Sequence, residues 1–316
     1  MNRYISAILL WLLVTATSAQ ESQTAYNFLR LPVSAHEAAL GGENITISDD
    51  DLSLIFSNPA LLTNVSDKTI GLNYMNYMAG VNTASAAFNR KAGDRAAWAV
   101  SGQLMDYGTM REVDANNVQT GEFSAKDIAM GGYFSYLLTE RITGGITAKC
   151  IYSAIGDYHS LAVGVDLGLN YYDAEHELSA SLVAKNLGGQ LEAYDDVYDR
   201  MPFDLQAGFT KRLVHTPLRF SLTLHDLGHW DYKFIQHAAV GADLLLSQQI
   251  WVGVGYNFRR AHQMSILSNL DKEESSHGAG LTLGAGISLQ RFKLGVAYGK
   301  YHVSSSSVLI NAAYSL

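Results

Sequence analysis

Leu281-Thr282-Leu283-Gly284-Ala285-Gly286-Ile287-Ser288-Leu289 alternates without a break, with Leu281, Leu283, Ala285, Ile287 and Leu289 on one side and Thr282, Gly284, Gly286 and Ser288 on the other. Successive side chains of a strand point to opposite faces, so this stretch predicts a strand with one apolar face. After Gln290-Arg291 the pattern resumes, Phe292, Leu294, Val296 and Tyr298 opposing Lys293, Gly295, Ala297 and Gly299. Two such runs joined by a tight turn make a hairpin. The last stretch aligns Val308, Ile310, Ala312, Tyr314 and Leu316.

Moving towards the N-terminus, comparable runs occupy residues 250–258, 237–245, 218–225, 203–211, 177–186, 161–172, 142–151, 127–137 and 96–106, with weaker ones at 69–75 and 82–89. The total is about fourteen, an even number, and most runs approach the roughly 9 to 11 residues that cross a bilayer when tilted. The links alternate in length. Those at 90–94, 138–141, 173–176, 212–217, 246–249 and 290–291 are short, whereas 107–126, 187–202, 226–236 and 259–280 are longer and richer in charge and aromatics. Short periplasmic turns and long extracellular loops have this asymmetry. A soluble sandwich would carry charge on its outer faces. Here the non-apolar face is mostly Gly, Ser, Thr and Asn, which suits a lumen. The expectation for residues 69–316 is an all-β, transmembrane, antiparallel up-and-down barrel of about fourteen strands, with Tyr314 in an aromatic girdle.

The bulk composition agrees. Charged residues make up 16%, against about 25% in an average soluble protein. Gly and Tyr are abundant and only 4 residues are Pro, which suits long ladders because Pro cannot donate to one. The net charge of −8 gives no basic stripe for nucleic acid. Cys150 is the only cysteine, so no intrachain disulfide forms, and its strand setting predicts buried filler.

Residues 1–19 read as an export signal: Arg3 supplies the positive flank, Ala7 to Val14 the apolar stretch, and Thr17-Ser18-Ala19 the cleavage site before Gln20. Beyond it no apolar run approaches the roughly 20 residues of a membrane-spanning helix. Residues 20–68 have another texture. Ser34-Ala35-His36-Glu37 fits a capping box, with Glu37 reaching back to the first amide, and Gly41-Gly42 ends the helix. Asp49-Asp50-Asp51 precedes a second short helix, Leu52 to Phe56, stopped by Asn58-Pro59. Two small helices ahead of a wide barrel predict a plug in its periplasmic mouth, with Ser34, Glu37, Gly41, Asn58 and Pro59 as its motif residues.

Ser34 to Gly42, followed by Phe56-Ser57-Asn58-Pro59-Ala60, resembles the N-terminal signature of the FadL-like barrels, which include the PorV proteins. A match spread over the mature chain resembles the PorQ family of the type IX secretion system of Bacteroidota. It runs through Tyr26 to Pro32, Leu72 to Tyr77, Phe123 to Ile128, Val183 to Gly189, Gly255 to Arg260 and Gly299 to Ser307. The resemblance implies an outer-membrane location with periplasmic termini and a part in the complex that attaches cargo to lipopolysaccharide. It implies a PorZ-like surface protein as partner, alongside PorU and PorV.

Chemistry of the chain's own is weakly signalled, and no enzyme site, cofactor or metal is expected. His225, Asp226, His229 and Asp231 offer metal ligands, but at a strand-to-loop junction their spacing does not make them converge. Ser and His are present as in barrel lipases, yet a triad is recognised by geometry. Gly253, Gly255, Gly284 and Gly286 alternate within strands and precede no helix, so close packing explains them better than a phosphate loop. Tyr194, Asp195, Asp196, Tyr198 and Arg200, with His225, His229 and Trp230, are the candidate partner-binding loop residues, Tyr, Trp and Arg being the favoured anchors of interfaces. Two roles stand open: a surface anchor for a PorZ-like partner, expected to have a blocked lumen, or a FadL-like channel for hydrophobic small molecules, expected to have an apolar pocket and a gap in the wall.

Overall fold

The computed structural model describes residues 24–316 apart from 79, 116–117, 231, 265, 268–273, 276–277 and 303–304. The expected export signal, residues 1–19, lies outside the described residues, as does Asp231. The strands of the wall are β1 (Thr69–Met78), β2 (Val81–Ala92), β3 (Ala96–Val113), β4 (Gln119–Leu137), β5 (Ile142–Ile155), β6 (Tyr158–Asp173) and β7 (Leu178–Glu192). They continue with β8 (Asp204–Arg212), β9 (Leu218–Leu224), β10 (Ala238–Leu245), β11 (Ile250–Asn257), β12 (Leu281–Ser288), β13 (Phe292–His302) and β14 (Ser305–Ser315). All fourteen pair with their neighbours in one closed antiparallel barrel. Closure is made by β1 against β14, from Thr69 opposite Ser315 to Asn76 opposite Val308. A closed sheet leaves no edge amide or carbonyl without a partner, which hydrocarbon demands.

The alternation read from the sequence sorts the side chains. Leu72, Val100, Met130, Leu182, Val252 and Ile310 are exposed on the outer face. Asn73, Gln103, Thr147, Asn170, Gln206 and Thr282 are buried on the inner one. Large apolar groups outside and small polar groups inside are the reverse of a soluble protein and the arrangement of a barrel in lipid. Cys150 departs from expectation. It is exposed, facing outward between Met130 of β4 and Val163 of β6, because its register places it on the lipid face rather than the lumen.

Two expected loops prove to be strand. The link placed at 107–126 is mostly ladder, with only 114–118 connecting β3 to β4, and the link placed at 187–202 begins with strand as far as Glu192. Beyond the apolar band both faces of a strand meet water, so the sequence stops alternating while the backbone goes on pairing. The wall is therefore uneven: β4 has 19 residues, whereas β9 has 7. The end holding Thr69 and Ser315 is called here the near rim, and the end from which β3 to β7 stand up is the far rim.

Residues 24–68 fill the bore. Helix α1 (Ala35–Ala39) begins at Ser34, whose hydroxyl accepts from the amides of His36 and Glu37. The reciprocal half of the expected capping box is absent, since the carboxyl of Glu37 accepts instead from Ser57 Oγ at 2.5 Å. Gly41 and Gly42 end α1 at φ 96° and 80°, the left-handed region that glycine enters freely. Leu52–Phe56 is a 3-10 turn capped by Asp51, and Asn58-Pro59 does more than stop it: Asn58 caps a further turn, Pro59–Asn64, with Pro at its first position.

Candidate functional site

The plug sits where the barrel wall lacks side chains. A Cβ on Gly255 of β11 would run into the backbone of Leu40 and Gly41, and one on Gly241 of β10 would lie 2.7 Å from Leu40 Cβ. Likewise Gly145 and Gly168 give room to Asn58, Pro59 and Ala60. The alternating glycines Gly253, Gly255 and Gly284 are thus seats for α1 and its turn, as close packing predicts, while Gly286 faces the ring of Trp251. Polar bonds reach the plug from all round the wall. The amide of Ala35 donates to Asn311, Thr46 Oγ1 meets Thr210 Oγ1 at 2.6 Å, and Asn58 Nδ2 donates to Ser181 Oγ at 3.2 Å.

Towards the near rim the plug is latched by charge. Arg219 of β9 holds Asp49 with two parallel bonds of 2.8 and 2.9 Å, and its Nε donates to Asp243 of β10 at 2.8 Å. His36 of α1 lies 3.0 Å from the other oxygen of Asp243 through Nε2 and stacks on Trp251, ring centres 3.7 Å apart. Asp243 is 1% exposed. Although burial opposes it, the Arg219 guanidinium holds the Asp49 carboxyl down at about 2. A second pair, Lys293 to Asp50 at 2.6 Å, lies in the same cavity of about 460 Å³.

Towards the far rim lies a larger cavity of about 1090 Å³, lined by Arg30, Glu43, Lys185, Arg259, Arg260 and Tyr301 among others. Arg259 donates to Asp226, which also bonds His229 Nδ1 at 2.6 Å. Arg260 follows Arg259 in α2 (Phe258–Gln263), and its guanidinium lies 4.0 Å over the Tyr301 ring while Nη2 donates to Gly41 O at 3.1 Å. Burial pushes the Glu43 carboxyl up to about 7, helped by Asp204. Burial also takes the His225 imidazole down to about 4, so it is neutral at pH 7. Both cavities are charged. A third, of about 20 Å³, mixes Leu29, Phe56 and Met130 with Lys149 and Lys185.

The candidate loop residues separate. Asp195, Asp196, Tyr198, Arg200 and Trp230 are exposed at the far rim. Tyr194 turns inward instead, its hydroxyl 2.5 Å from Ser153 Oγ and its ring beside Tyr26. His225 is buried while His229 bonds Asp226, and among the described residues the two belong to no group of three close ligand atoms. Among the described residues, the one trio whose ligand atoms lie within 4.8 Å is Asp173, Glu175 and His176, on a near-rim turn and mostly exposed. Sequence reasoning missed Arg219, Asp243, Lys185 and Arg260. The available signal was a lone charge on the non-apolar face of a strand, or an Arg pair at a strand end.

No family model matches the chain, and no curated protein matches it in sequence. Among solved structures the fold is similar to the CymD monoaromatic hydrocarbon channel, with a TM-score of 0.59 and 13% identity over 90% of this chain and 97% of that one. It is also similar to the toluene transporter TbuX of Ralstonia pickettii, at a TM-score of 0.54 and 12% identity over 90% and 96%. A FadL homologue of Pseudomonas aeruginosa aligns at a TM-score of 0.53 and 13% identity over 90% and 98%. At these identities the likeness is one of fold.

Proposed function

We propose that this protein is a FadL-like barrel of the outer membrane, exported by its N-terminal signal, with periplasmic termini and the far rim at the cell surface. The lipid-facing exterior and the likeness to outer-membrane transporters support that location. Of the two roles open to such a barrel, the comparisons favour a channel for small hydrophobic molecules, because the similar barrels CymD and TbuX are a monoaromatic hydrocarbon channel and a toluene transporter. The observation that carries this reading is a plug held in the bore by noncovalent seats and ion pairs, so that it forms a gate. Liposomes containing the protein should take up a small aromatic hydrocarbon faster than empty ones, and Arg219→Met, which loosens the latch, should raise the rate. Equal uptake with and without the protein would remove the channel.

A second reading is favoured by the charged groups that line both large cavities among their apolar ones, so that an apolar solute entering must displace water from buried charges. In it the barrel is a closed anchor of the type IX secretion attachment complex, presenting Tyr198, Arg200 and Trp230 to a PorZ-like partner, with PorU, PorV and lipopolysaccharide nearby. Fold alone does not choose between these roles. Pull-down from detergent-solubilised outer membranes, with and without residues 193–200, should recover such a partner only from the intact chain. Recovery of the same proteins from both would sink the anchor.

A further inference from the structure

We propose that the far cavity is a binding site for a small phosphorylated polar molecule, its phosphate group held by Arg260 with Lys185 and Tyr301 beside it. The inference goes beyond both roles above and depends on neither.

Pairing within the cavity is lopsided. Asp226 is matched by Arg259 and His229, with Arg30 at 3.9 Å. Asp204 accepts from Gln206 Nε2 at 2.7 Å and from the Asp226 amide at 2.5 Å. Arg260 makes no ion pair within 4.0 Å among the described residues, although it is only 8% exposed, and its Nη1 has no hydrogen-bond partner. The Tyr301 hydroxyl beneath it is likewise buried and has no hydrogen-bond partner among the described residues other than that guanidinium beside it. Lys185, also 8% exposed, lines the same cavity and has neither an ion pair nor a hydrogen bond among the described residues. The carboxyl near both cations is Glu43, which burial makes take a proton more readily than an ordinary carboxylate, so it offsets their charge only in part.

A buried guanidinium without a carboxylate in direct contact is costly, and an oxyanion supplies the missing contact and several acceptors at once. Arg presents a fork that fits phosphate, Lys a point charge, and Tyr a single donor. Three donors from three elements suit a tetrahedral oxyanion better than a carboxylate. At about 1090 Å³ the cavity has room for more than the phosphate group. The phosphate could belong to a soluble metabolite or to a lipid headgroup, and the chemistry that recognises it is the same.

The test is titration calorimetry on the full chain in neutral detergent, with glycerol 3-phosphate in one arm and dihexanoyl phosphatidic acid in the other. Saturable binding is expected in at least one arm, weakened tenfold or more by Arg260→Gln and by Lys185→Gln, and unchanged by Arg212→Gln at the near rim. The tighter arm identifies the source. Should R260Q fail to fold, K185Q carries the test alone, because that side chain holds no ion pair or hydrogen bond among the described residues. Absence of saturable binding in both arms, or binding that R260Q and K185Q leave intact, would overturn the proposal and make the cavity a hydrated void.

Discussion

At the near rim Arg219 divides its guanidinium between two carboxylates, Asp49 and Asp243, whereas at the far rim Arg260 has a carbonyl and an aromatic ring but no carboxylate. Both lie in the bore and both touch the plug. The first is a closed circuit, in which each charge satisfies another and the plug cannot leave without breaking it. The second is an open one, in which charge is held ready for something that is not part of the chain. Charge in a lumen thus has two uses, and the pairing tells them apart.

Cutting the closed circuit should have the largest effect. Arg219→Met leaves the buried Asp243 carboxylate with His36 alone and should destabilise the plugged state by about 3–5 kcal/mol, measured as earlier protease cutting within residues 24–68. Resistance equal to that of the parent would show that the latch holds nothing. Removing a seat should cost less. Gly255→Ala drives a methyl group into Leu40 and Gly41 and should cost about 1–3 kcal/mol in unfolding experiments. Gly102→Ala, with open space around it, should stay within about 0.5 kcal/mol. Equal effects would mean that the glycines are not seats.

Proton linkage sharpens the contrast further. Burial raises the Glu37 carboxyl from 4.5 to about 8, with Lys185 and the Ser57 hydrogen bond opposing. The folded form therefore keeps a proton that the unfolded form releases. This contribution to the plug's hold is fully present below pH 4.5 and is lost as the pH rises towards 8. Glu43 acts in the same direction, its carboxyl raised to about 7. The unfolding midpoint should fall over this range, and Glu37→Gln should flatten the fall; an unchanged slope in E37Q would place the proton elsewhere. The smallest effect is expected at the open end. Arg260→Gln forfeits hydrogen bonding and ring contact but breaks no carboxylate ion pair, so its cost should be about 1 kcal/mol, read from the same unfolding curves. A loss as large as that of R219M would erase the distinction between the two ends.

Much of the barrel was legible because lipid outside and a polar bore inside impose period two on every wall residue, from Leu72-Asn73 to Ile310-Asn311. The ladder at 107–126 was illegible because water on both sides removes that contrast. Ser34 and Gly41-Gly42 announced α1 through local capping chemistry. The partner of Glu37 did not announce itself, since Ser57 lies 20 residues on. Tyr194 reads as an exposed loop aromatic until the tall wall of β5 places Ser153 within reach.

The sequence by itself settles which face of each strand meets lipid, how many strands there are, and where the plug's helix starts and stops, because these follow from neighbours a few residues apart. Tertiary structure alone decides which charges meet. Arg219 finds Asp49 across 170 positions and Asp243 across 24, while Arg260 finds neither. Rolling the sheet shut points every inward side chain at one axis. Which of them touch there depends on register, curvature and the path of the plug, and none of these is written in the order of residues along a single strand.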